Sequence, residues 1–138
     1  MRKMSLDLGD RRIGIALSDL MGIIASGYET YTRGNDEGKD LEYIVKLIKE
    51  KEVDTVVLGL PVNMDGTEGE RALLSRSFGE KLKALCDVKV DFLDERLKTV
   101  SAEKLLISAD VRRDKRKTVI DKIAATIILK DYLDMHSR

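Results

Sequence analysis

The sequence predicts an α/β protein, a mixed sheet of five strands with helices on its faces. Three observations carry that prediction. The first 32 residues hold strand-like segments whose connections are too short for a crossover, so neighbouring strands there run antiparallel. From residue 36 onward the apolar pattern alternates between helical period and short buried-type runs. The chain has 138 residues, 43% hydrophobic and 36% charged, with a single proline and no low-complexity tract. One globular domain spanning 1–138 is therefore expected.

The elements follow in order. Met4 to Gly9 (MSLDLG) reads as a strand, closed by a turn at Gly9 and Asp10. Arg12 to Asp19 (RIGIALSD) reads as its hairpin partner, and Ile23 to Thr32 as a third strand. Leu41, Ile44, Val45 and Ile48 then fall at i, i+3, i+4 and i+7, an amphipathic helix starting near Asn35 or Asp36. Val53 to Leu60 (VDTVVLGL) is a buried-type strand stopped by Pro61. Thr67 and Glu70 have the capping-box spacing and start a helix reaching about Leu85. Val88 to Leu93 (VKVDFL) is the fifth strand. A helix over Val100 to Ser108, a basic loop, and a last helix from Thr118 through Leu133 complete the order β-β-β-α-β-α-β-α-α.

Composition excludes several classes. Lys plus Arg and Asp plus Glu are 25 each, so this is no polybasic nucleic-acid coat. The balance is uneven, however. Residues 34–70 carry 4 basic and 10 acidic groups, and residues 71–138 carry 16 and 11. The strongest basic run is Arg112, Arg113, Lys115, Arg116 and Lys117, broken only by Asp114. A single cysteine, Cys86, and a single histidine, His136, exclude a disulfide within the chain and a His/Cys zinc centre. Asp7 and Asp10 interrupt the place where a secretory apolar core would run. No stretch approaches the roughly 18 apolar residues of a membrane span. A cytoplasmic protein without a membrane partner is expected. Aromatic residues are only 4%, which gives little support to base stacking.

Three acidic residues stand out by context. Asp7 interrupts an apolar strand and by alternation faces with Ser5 and Gly9, away from Leu6 and Leu8. Glu95 follows the fifth strand. Asp121 lies early in the last helix, ahead of Ala124 and Ala125, whose small side chains permit close approach to a sheet. Each has an ordinary structural explanation, as a partner of Arg11 or Arg12, a strand-end residue or a helix-start acid. Together they describe something else. Carboxylates gathered at one point repel one another unless a cation neutralises them. Oxygen-only donors select a hard ion, Mg²⁺ or Mn²⁺. A pair of such ions held by carboxylates is an apparatus for hydrolysing phosphodiesters.

Four segments, LDLGDRRIGIALSD (6–19), VVLGLPVNMDGTEGE (56–70), DERLKTVSAEKLL (94–106) and DKIAATIILKDYL (121–133), resemble those of the YqgF/RuvX family. Members of that family are named pre-16S rRNA nucleases and, earlier, Holliday junction resolvases. The resemblance implies an RNase H-like sheet with strand order 3-2-1-4-5. It implies that Asp7, Glu95 and Asp121 are the catalytic carboxylates and hold Mg²⁺ or Mn²⁺. It places Arg11 and Arg12 in a basic hairpin pair, and puts Asn63, Gly66 and Thr99 in motifs that shape the site or touch phosphate. With the run Arg112 to Lys117 these would contact the backbone of structured RNA, precursor rRNA first, as positioning contacts.

Three other functions are weighed against this one. A Holliday junction resolvase would keep the chemistry on branched DNA but usually needs a dimer, and no dimer seam is evident, so a monomer or weak homodimer is expected. An actin/hexokinase-type ATPase also opens on a D-x-G hairpin but needs two such domains around a cleft. A non-catalytic RNA-binding module would tolerate loss of Asp7.

Overall fold

The computed structural model describes residues 1–95 and 113–136; in the last helix, side chains are described from residue 119 onward. The expected helix over 100–108 lies outside the described residues. Five strands form one sheet: β1 (Arg2–Leu8), β2 (Arg12–Ser18), β3 (Ala25–Thr32), β4 (Val53–Leu60) and β5 (Lys89–Asp94). Among the described residues three helices accompany it: α1 (Glu37–Glu50), α2 (Glu70–Leu85) and α3 (Arg113–His136). The strand order is β3-β2-β1-β4-β5. β1 pairs antiparallel with β2, and β2 with β3, while β1–β4 and β4–β5 are parallel. That is the 3-2-1-4-5 order implied by the family resemblance, with β1 at the centre.

Strand alternation divides the core in two. Met4, Leu6, Ile13, Ile15, Leu17, Val56 and Leu58 face one way and pack against Leu41, Ile44, Leu47 and Ile48 of α1 and Phe78 and Leu82 of α2. Ala16, Val57 and Leu93 face the other way and meet Ala125, Ile128, Leu129, Tyr132 and Leu133 of α3. The second face is built from small residues. Ser5 is fully buried there and its hydroxyl donates to the Ala125 carbonyl. A side chain at Gly27 would press on Thr126 and Lys122. The helix therefore lies close against the sheet.

The starts of β3, α2 and α3 differ from expectation. β3 starts at Ala25 rather than Ile23, because the Asp19 carboxylate accepts the N–H groups of Ile23 and Ile24 at 2.7 and 2.9 Å and holds them in the turn. Those two bonds also hold the Asp19 carboxyl below its ordinary pKa. α2 begins at Glu70 with Gly69 as its N-cap and no side-chain cap. Thr67 is not a cap: its hydroxyl and N–H both donate to Asp65, and it accepts from the Asn63 amide, closing the loop on itself. α3 begins at Arg113, so the basic run is helical from that residue and Thr118 lies within the helix. α1 matches its expected start, with Asp36 as N-cap accepting from the Gly38 N–H at 2.9 Å.

Candidate nuclease site

The three acidic residues come from separate segments of the chain, and two glycines seat the Asp121 backbone and the Glu95 side chain on the strands that flank Asp7. Asp7 lies near the end of β1, on the α3 face with Ser5. Its cross-strand partner in β2 is Gly14. A Cβ at Gly14 would stand 2.1 Å from the Asp121 carbonyl oxygen and 2.6 Å from its carbon, so the backbone of α3 at Asp121 rests directly on this glycine. On the other flank, Leu6 pairs with Leu58, which puts Gly59 of β4 beside Asp7. A Cβ at Gly59 would stand 2.9 Å from the carboxyl carbon of Glu95. Asp7 is thus bordered by two strand glycines, one beneath Asp121 and one beneath the Glu95 carboxyl. Glycine within a strand marks a close approach of this kind. Neither glycine was singled out from the sequence, although each interrupts an otherwise apolar strand.

The side chains themselves are arranged less simply. Asp121 Oδ2 accepts from Arg12 Nε at 2.6 Å, with the two side chains 21% and 31% exposed. Arg12 is two residues from Gly14 on the same face of β2, which aims it along α3. Among the described residues no group of three or more His, Cys, Asp or Glu side chains is arranged to hold a metal ion. Asp7 and Glu95 have interaction partners of their own. What the fold supplies is the Asp121 backbone on one strand neighbour of Asp7 and the Glu95 carboxyl on the other. The donor chemistry fits a hard divalent cation.

Of the remaining expected residues, Arg11 and Asn63 lie at the same end of the sheet. Arg11 is exposed in the β1–β2 turn, and its carbonyl accepts the Arg33 N–H at 2.8 Å. Asn63 is exposed in the loop after β4, where Gly66 has a φ of 91°, a conformation open to glycine. Thr99 and Arg112 lie outside the described residues. Arg113, Lys115, Arg116 and Lys117 fall in the first turns of α3 rather than in a loop, and their side chains lie outside the described set. Asp121, expected in the first turn of its helix, is eight residues in from Arg113, so stabilisation at a helix N-terminus is not what holds it. No helix among the described residues is long and apolar enough to cross a membrane. Cys86 is half-buried, and burial pushes its thiol above the usual pKa, which suits packing.

Solved structures share the architecture. Thermus thermophilus RuvC in complex with a Holliday junction substrate superposes with a TM-score of 0.62 at 12% identity, covering 98% of this chain and 96% of that one. The human cytomegalovirus terminase nuclease domain, soaked with Mn, gives 0.53 at 13% identity over 99% and 84%. At such identities the likeness establishes the fold, which is RNase H-like. The family follows from sequence. A family model described as "RuvX: Holliday junction resolvase" matches residues 1–135, and the chain belongs to the RuvX family. A relative from Halothermothrix orenii, bearing the name "Putative pre-16S rRNA nuclease", is 51% identical over 100% of this chain and 98% of its own length. One of the same name from Halalkalibacterium halodurans is 50% identical over 97% and 96%.

Proposed function

We propose that this chain is a single-domain, divalent-metal-dependent nuclease that hydrolyses phosphodiester bonds at the 5′ end of precursor 16S rRNA in the cytoplasm. The observation that carries the reading is the pair of glycines flanking Asp7, beneath Asp121 and the Glu95 carboxyl. Family membership and the names of the relatives support the substrate.

Asp7, Glu95 and Asp121 would hold Mg²⁺ or Mn²⁺. When bound, the metal activates water for attack and stabilises the leaving oxygen. The protein's own part is positional. Asp7 is held by strand pairing on both sides, Glu95 by the end of β5 and Asp121 by a helix seated on β2. Arg11 and the loop holding Asn63 border that end of the sheet; together with Thr99 and the basic run from Arg112 to Lys117 they would take the flanking phosphates. Such contacts fix position rather than read bases.

The test is direct. Purified protein with Mg²⁺ or Mn²⁺ is assayed against precursor 16S rRNA and a synthetic four-way DNA junction side by side, wild type with Asp7→Asn. Cleavage of the rRNA by wild type and its loss in Asp7→Asn are expected. Undiminished cleavage by the variant removes the catalytic assignment. Paired cuts in the junction without rRNA cleavage would transfer the activity to branched DNA, the substrate named for the family model.

A further inference from the structure

Arg12 is bound to one of the three carboxylates rather than being directed outward. Its Nε donates to Asp121 Oδ2 at 2.6 Å, with both side chains partly exposed. The geometry leaves the guanidinium little choice. Arg12 and Gly14 lie on one face of β2, and the Asp121 backbone is seated on Gly14. The carboxylate of Asp121 and the side chain of Arg12 are thus delivered to each other by the same contact that brings Asp121 to Asp7. A guanidinium is a permanent cation, so it can neutralise one member of an acidic group whenever no metal does so.

We propose that Arg12 is a positioning residue that occupies Asp121 in the metal-free protein and yields it to the divalent ion, an inference that rests on the metal-site reading above. Nε occupies Oδ2 alone, but the negative charge it neutralises is the one that a metal on either oxygen of Asp121 would draw on. Cation binding would then loosen the pair and leave Arg12, the chain neighbour of Arg11, available to a phosphate. The arrangement makes metal loading a competition. The protein without metal keeps its acidic group from repelling itself apart, and the loaded protein gains a second arginine for substrate.

The sign of the expected effect separates this role from a structural one. If Arg12 merely props Asp121 in place, removing it weakens metal binding. If Arg12 competes for Asp121, removing it strengthens metal binding. Mn²⁺ affinity is measured by titration calorimetry on the full chain for wild type, Arg12→Ala, Arg12→Lys and Arg11→Ala. Arg12→Ala is expected to bind Mn²⁺ about two- to fivefold more tightly, the range set by a partly exposed ion pair. Arg12→Lys should return toward wild type. Arg11→Ala removes the same formal charge from the neighbouring exposed position and should shift affinity less. A second readout needs no activity: the Arg12 Nε–H resonance should be protected in metal-free protein and lose that protection when Mg²⁺ is added. Unchanged or weaker Mn²⁺ binding by Arg12→Ala, with wild type binding normally, overturns the competition and leaves the metal site standing. Failure of wild type to bind Mn²⁺, or equal binding by Asp7→Asn, overturns the metal site and this inference with it.

Discussion

Replacing Gly14 by alanine tests the assembly of the site without touching a carboxylate. The new Cβ would stand 2.1 Å from the Asp121 carbonyl oxygen, whereas ordinary contact begins at 3.4 Å. The obstacle is helix backbone, which cannot rotate aside as a side chain would. α3 must therefore withdraw from β2 by about 1.3 Å at this point, the order of displacement that costs a reaction about 100-fold. Overpacking of this kind also destabilises by about 1–3 kcal/mol, so the protein stays folded at room temperature. Gly59→Ala supplies the contrast. Its Cβ meets the ends of Ile128 and Glu95 side chains at 2.6 and 2.9 Å, which can turn away. The expected pattern is a loss of rRNA cleavage in both variants, with a larger fall in the thermal midpoint for Gly14→Ala. Cleavage is followed by gel at saturating Mn²⁺ and unfolding by circular dichroism. A Gly14→Ala protein that cuts at the wild-type rate would refute the claim that helix seating on β2 places the third carboxylate.

Two further predictions concern stability. Asp40 is 1% exposed and accepts from the Tyr31 hydroxyl at 3.0 Å and Arg33 Nε at 2.9 Å; Arg33 also donates to the Gly9 carbonyl. Asp40→Ala should cost about 3 kcal/mol in urea unfolding, because it strands a mostly buried guanidinium; a loss under about 1 kcal/mol would show that the Gly9 carbonyl and Glu37 suffice to hold Arg33. Tyr43 and Tyr132 are pushed above the ordinary phenol pKa of 10.0, by burial first and then by donation to Glu29 and Asp91. The fold thus favours the protonated phenols, and their contribution is complete below pH 10 and lost as the pH rises toward the folded values. Urea midpoints should fall between pH 9 and pH 11, and the double variant Tyr43→Phe, Tyr132→Phe should flatten that fall; equal slopes would contradict it.

Legibility in the sequence followed the range of the interactions. Val53–Leu60 was read to the residue, because a continuous apolar run ended by Pro61 is a local signal. The start of α1 was equally local, since the Asp36 carboxylate caps its own helix. Capping at Thr67 fails because two neighbouring side chains, Asp65 and Asn63, engage its hydroxyl. The start of α3 at Arg113 had no apolar period to announce it, since its first turn is almost wholly charged.

The amino-acid order by itself determined the alternation of strands and helices, the oxygen-only donor chemistry and the identity of three acidic candidates. Those are properties of periodicity and composition, which a short window of chain carries. Only the tertiary structure decided that β1 runs between an antiparallel and a parallel neighbour, that two glycines border Asp7, and that Arg12 is spent on Asp121. Each of these is a contact between segments far apart along the chain. Such contacts are set by which small side chains let a helix backbone settle onto a strand, and no local pattern records that.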